Sequence, residues 1–114
     1  MNHFKYSLKE PALTLITQGV KKVEGRLCKN TFKNINSGDM ITFYNKEKSV
    51  DVIVSQVKKY NNFSTMLTST GLRKTTPLAN NLPDALSIYH NIYSQKDIET
   101  YGVLAIHLKK IKEN

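Results

Sequence analysis

A chain of 114 residues, 39% hydrophobic and 23% charged, has the length for one globular core and not for two. No apolar run approaches the roughly 20 residues of a membrane span, residues 1–7 lack the apolar stretch of a secretory leader, and a single cysteine, Cys28, gives neither a disulfide framework nor a zinc-ligand cluster. The formal net charge is +8, which puts a polyanion among the expected partners.

In chain order, Phe4, Tyr6 and Leu8 alternate with polar residues and predict a strand over 3–8. Pro11 suits the first position of a helix whose apolar face is Leu13, Leu15 and Ile16, and Gly19 ends it. A strand follows over 22–28, then a polar linker over 29–37 from which Phe32 and Ile35 reach the core. Gly38-Asp39 marks a turn, 40–45 a strand, Asn45–Lys48 a hairpin and 49–58 the clearest strand, with Val50, Val52 and Val54 alternating. Its low polarity predicts cover on both faces. Residues 62–71 form a helix carrying Phe63, Met66 and Leu67 inward, and 73–81 a loop. Pro83 opens another helix with Asp84 in its first turn, and Leu82, Ala85, Leu86, Tyr89, Ile92 and Tyr93 are its expected buried stripe. Ser94 with Asp97 resembles a capping box, 103–111 is the last strand, and 110–114 is expected to fray. Helices interrupt the strands irregularly, so a single α+β domain over 1–114, a small mixed or antiparallel barrel with helices outside, is expected rather than a doubly wound sheet.

The basic excess is uneven. Residues 21–74 hold eleven Lys/Arg against four Asp/Glu, and residues 75–114 balance at four against four. A one-sided excess is the footprint of a polyanion binder. Lysine outnumbers arginine fifteen to two and asparagine occurs eleven times, so A/T-rich coding contributes to the same excess. Within this segment Gly19-Val20-Lys21-Lys22-Val23-Glu24-Gly25-Arg26 gathers cations around one carboxylate. Strand alternation places Lys22, Glu24 and Arg26 on one face, and Lys21 on the other unless Gly19 or Gly25 bends the backbone. The plain alternative is a solvated cross-strand ion pair.

Gly19-x-Lys21-x-x-Glu24-x-Arg26 resembles the G-x-K-x-x-E-x-R signature of ASCH domains, which have the PUA-like fold. Gly38-Asp39-Met40-Ile41-Thr42-Phe43, Met66-Leu67 with Gly71-Leu72, Ile88-Tyr89 with Tyr93, and Gly102-Val103-Leu104-Ala105-Ile106 resemble the family's flanking features in order, so the resemblance covers about residues 5–110. It implies a barrel of about six strands with helices around it, a cleft at the motif, and RNA binding as the role. Small bacterial members are amidohydrolases of N4-acetylcytidine that use the motif lysine, a threonine and a distal glutamate. Here Lys21 is present, Glu24 stands at the threonine's position, and no acidic residue lies between Asp51 and Asp84.

The expected function is a module for single-stranded RNA or a modified nucleoside, in an intracellular, cytoplasmic setting (nuclear in a eukaryotic or viral context), with no membrane, metal or cofactor. Lys21 and Arg26 would neutralise phosphate, Glu24 would accept from an exocyclic amine or fix Arg26, and Tyr44 or Tyr60 would stack on a base, with Lys22 and Lys58 also among the ligand-binding candidates and Lys58 widening the basic surface. Lys46, Lys48, Lys59, Arg73 and Lys74 would widen the basic surface. The rival is an enzyme, a ribonuclease or amidohydrolase acting on RNA or a modified nucleoside, with Lys21 and Glu24 as its acid–base pair. His3, His90 and His107 fall into no catalytic order, and His107 reads as structural. A protein-interaction adaptor is a third class.

Overall fold

The computed structural model describes residues 1–111. In chain order the elements are β1 (His3–Ser7), α1 (Ala12–Thr17), β2 (Val23–Leu27), a 3-10 turn (Asn30–Asn34), β3 (Met40–Tyr44), β4 (Ser49–Tyr60), α2 (Phe63–Thr70), α3 (Leu72–Thr75), α4 (Leu82–His90), α5 (Gln95–Tyr101) and β5 (Val103–Lys110). Three helix starts are capped by their own sequence: the side chains of Asn62, Asn81 and Ser94 accept from the amides of Thr65, Asp84 and Asp97. No helix among the described residues is long and apolar enough to cross a membrane.

The five strands form one mixed sheet in the order β1-β3-β4-β5-β2. β1 pairs with β3 in parallel, and every other neighbouring pair is antiparallel. The sheet curls into a half-barrel with five helices around it, an α+β architecture with five strands where the resemblance implied about six. β1 and β2 are its two edges and are not paired with each other, so the barrel has an open seam. β4 runs two residues further than its expected end, and a register shift between Val54 and Gln56 marks an irregularity in its pairing with β5.

Two hydrophobic clusters, one on each face of the single sheet, explain why β5 is apolar on both faces. Leu104 and Ile106 join Ile41, Phe43, Val52 and Val54 inside the curl, closed by Leu13 and Ile16 of α1 and by Ile35. Val103 and Ala105 face the other way, with Val23 and Leu27, under α2, α4 and α5. Ile92 departs from its expected place. α4 stops at His90, so the helical period no longer governs position 92, and Ile92 is 64% exposed. The expected loop after Gly71 begins instead with α3, because half-buried Leu72 packs on the second core and Thr75 is buried with its hydroxyl on the Gly71 carbonyl. Residues 112–114 of the expected tail lie outside the described residues.

Candidate nucleic-acid interface

Gly19 takes φ +76° and closes α1, and the amides of Val20 and Lys21 both reach the Leu15 carbonyl. The chain therefore turns before β2 begins at Val23, and Lys21 escapes the strand alternation that would have sent it away from Glu24. Its ammonium lies 3.4 Å from Glu24 Oε1 and donates to the carbonyls of Val23, at 2.8 Å, and Thr75. These partners match the three N–H donors of a lysine. Lys21 and Glu24 are each 6% exposed. Burial pulls the Lys21 pKa below its usual value, opposed by Glu24.

Glu24 holds a second cation. Its Oε2 accepts from Arg26 Nε at 2.9 Å. The Arg26 guanidinium lies over Phe32, 4.8 Å from the ring centre, and 5.9 Å from that of Tyr6 on β1. Tyr6 stacks on Phe32 at 4.2 Å, and its hydroxyl pairs with Thr31. Arg26 thus reaches from one edge of the sheet toward the other. Its two terminal nitrogens have no protein partner among the described residues.

These groups form the polar floor of a cleft of about 910 Å³ lying along the seam, a volume within the usual range for small-molecule sites. Its walls come from the chain after β1 (Leu8, Lys9, Pro11), Leu15, the β3–β4 turn (Tyr44, Lys46), Thr75–Leu78, and Ile88, Tyr89, Ile92 and Tyr93. Apolar side chains dominate, and Tyr44, Leu78, Ile88 and Ile92 are exposed at its rim. A side chain on Gly25 would place its Cβ 2.9 Å from the Tyr89 hydroxyl, so the glycine admits the tyrosine. Tyr89 cannot easily retreat, since it stacks on Phe63 at 4.1 Å. Burial first, and then the Glu24 charge, raise the Tyr89 pKa, so its hydroxyl stays protonated.

Lys21, Glu24, Arg26 and Tyr44 of the expected set meet in this cleft, together with Lys46. Lys22 does not: β2 starts one residue after it, and its exposed side chain is outside the cleft, while its amide and carbonyl bind Lys74 and Leu108. Lys58 and Tyr60 pair with each other on β4, at 5.5 Å, and Tyr60 bonds Ser69; neither lines the cleft. Lys48 is tied to Glu10 at 2.9 Å. Hydrogen bonds from Thr14 and Lys48 lower the Glu10 pKa to about 2. His107, half-buried, has a pKa lowered by burial and by the charges of Lys74 and Lys58. Unforeseen were the platform under Arg26 and the apolar walls, whose residues come from both sides of the motif, from Tyr6 to Tyr93. The glycine within a five-residue strand was the one local signal of a close approach.

A half-barrel sheet open at one seam, with helices packed around it and a charged triad in the opening, is the architecture of a small PUA-like domain. The chain belongs to the ASCH domain family, whose model matches residues 7–112. Members of this family are generally thought to bind RNA. It is similar to a crystal structure described as hypothetical protein PH0355, with a TM-score of 0.89 and 29% identity over 96% of this chain and 99% of that one. It is also similar to the solution structure of protein PF0455 from Pyrococcus furiosus, with a TM-score of 0.81 and 30% identity over 97% of this chain and 99% of that one. No curated protein matches it.

Proposed function

We propose that the chain binds single-stranded RNA, or a modified nucleoside, by taking one base into the seam cleft with Arg26 as its polar anchor. The observation that carries this is the state of the triad. Glu24 neutralises Arg26 at Nε and fixes its orientation, while both terminal nitrogens keep free donors beside apolar walls. A buried carboxylate on the floor disfavours a bare phosphate there and suits a neutral heterocycle with acceptor atoms. Phosphates then belong at the mouth, where Lys9 and Lys46 stand, and along exposed lysines beyond it. Lys21, with its three donors engaged, holds the floor together and does not meet the ligand's charge.

The test is a salt titration with a labelled single strand. Log affinity falls linearly with log salt, with a slope of roughly 0.7 per phosphate contacted. Affinity indifferent to salt would sink this reading. The depressed pKa of Lys21 beside Glu24 favours a second reading, a hydrolase acting on RNA or a modified nucleoside. The same hydrogen bonds that hold Lys21 oppose it. Incubation with labelled RNA and with N4-acetylcytidine is expected to return both unchanged, and turnover lost in Lys21→Ala would establish the enzyme.

A further inference from the structure

β2 is an edge strand, and one of its residues presents an unused backbone. In its antiparallel pairing with β5, Leu108 N–H donates to the Lys22 carbonyl and Cys28 N–H donates to the Gly102 carbonyl. Backbone direction alternates along a strand. The Lys22 carbonyl, the Cys28 amide and the polar groups of Glu24 and Arg26 therefore turn toward β5, and Val23, Gly25 and Leu27 turn theirs toward the open seam. Two of those three carbonyls are occupied: Val23's by Lys21 Nζ and Leu27's by the Lys29 amide. The N–H and C=O of Gly25 have no partner among the described residues, and Gly25 lines the cleft.

We propose that this unpaired peptide unit, on the buried floor of the cleft, reads the base, and that the preferred base carries a uracil-type imide edge, acceptor–donor–acceptor. The order follows from strand direction. The Gly25 amide lies toward Glu24, and its carbonyl lies toward Arg26. Passing from Glu24 to Arg26, the protein offers a donor (Gly25 N–H), an acceptor (Gly25 C=O) and a donor (the Arg26 terminal nitrogens). A uracil answers with a carbonyl, its N3–H and its second carbonyl. Guanine sets its exocyclic amine against a donor, and cytosine sets its unprotonated N3, an acceptor, against the Gly25 carbonyl. Glu24 needs no further donor, because each of its oxygens already holds a cation. A flat ring continuing the sheet beyond β2 would lie between Pro11 and Leu15 on the α1 side and Ile88 and Ile92 on the α4 side.

This rests on the base-binding reading above and is tested separately from it. The full chain, labelled with ¹⁵N, is titrated with uridine, N3-methyluridine, cytidine and guanosine 5′-monophosphates at one salt concentration. The Gly25 amide proton is expected to move downfield with uridine monophosphate, and the N3-methyl compound and the other two bases to bind at least about tenfold more weakly. Binding of the N3-methyl compound as tight as that of uridine monophosphate overturns the proposal. So does a Gly25 amide that stays still while Arg26 and Tyr93 resonances respond; both outcomes leave base binding standing. Cleft resonances that ignore all four nucleotides and a single-stranded RNA overturn both readings. Gly25→Ala is not used here, because its clash with Tyr89 would disturb the cleft by itself.

Discussion

Two groups of cations lie on either side of the start of β2. In the seam, Lys21 and Arg26 share one carboxylate; Lys21 is buried and tied into the backbone, and half-buried Arg26 lies on aromatic rings. Outside it, Lys22, Lys58 and Lys74 are exposed, the last two near half-buried His107, and among the described residues none of the three forms an ion pair. Lys21 and Lys22 are adjacent in sequence, yet one is structural and the other solvated. The difference teaches that net charge alone does not separate solvated cations from fixed ones. Uncompensated exposed charge supplies long-range, salt-sensitive attraction, while fixed and partly desolvated groups discriminate.

The sharpest way to break this comparison is to mutate the neighbours. Lys21→Met leaves the Val23 and Thr75 carbonyls without their donor and Glu24 with one partner, and is expected to cost about 3–5 kcal/mol in urea unfolding, the usual range for breaking a buried ion pair. Lys22→Met is expected within about 0.5 kcal/mol of the parent. Equal costs would erase the distinction. Gly25→Ala tests the seam's packing next. Its methyl group has no room beside Tyr89, and overpacking of this kind costs about 1–3 kcal/mol. A neutral result would mean that the tyrosine moves freely.

Lys58→Ala with Lys74→Ala sharpens the other half. Stability should hold, while the salt slope of RNA binding should lose about 1.4, or roughly 0.7 for each phosphate contact removed. An unchanged slope would take these lysines off the RNA path. The smallest effect belongs to His107. Its folded pKa lies below 6.5, so between the two values the unfolded chain binds more protons, and stability falls as pH drops through and below about 6.5. In His107→Gln, that part of the pH dependence of the urea midpoint should vanish, and its persistence would assign the slope to other groups.

Much of this architecture was legible in the chain. Valine alternation in β4, the apolar run of β5 and the Asn and Ser caps each have a local physical cause. Ile92 was not legible, because nothing in its own residue type says that α4 ends two positions earlier. For the site, the motif located Lys21, Glu24 and Arg26, and Gly19 hinted at the turn that brings Lys21 round. The stack of Arg26 on Phe32 and Tyr6 escaped, since it depends on the curl of the sheet, which sets β1 near an edge strand it does not pair with. Lys58 and Tyr60 were drawn into the site by composition alone. Their strand belongs to the sheet's centre, away from the seam.

The most direct test is the affinity of Arg26→Ala for a short single-stranded RNA, measured across a range of salt concentrations. The recognition assigned to the seam predicts a loss of at least about tenfold at every salt concentration, with the slope of log affinity against log salt nearly unchanged. Affinity equal to that of the parent, or a loss that appears only as a shallower slope, would contradict it.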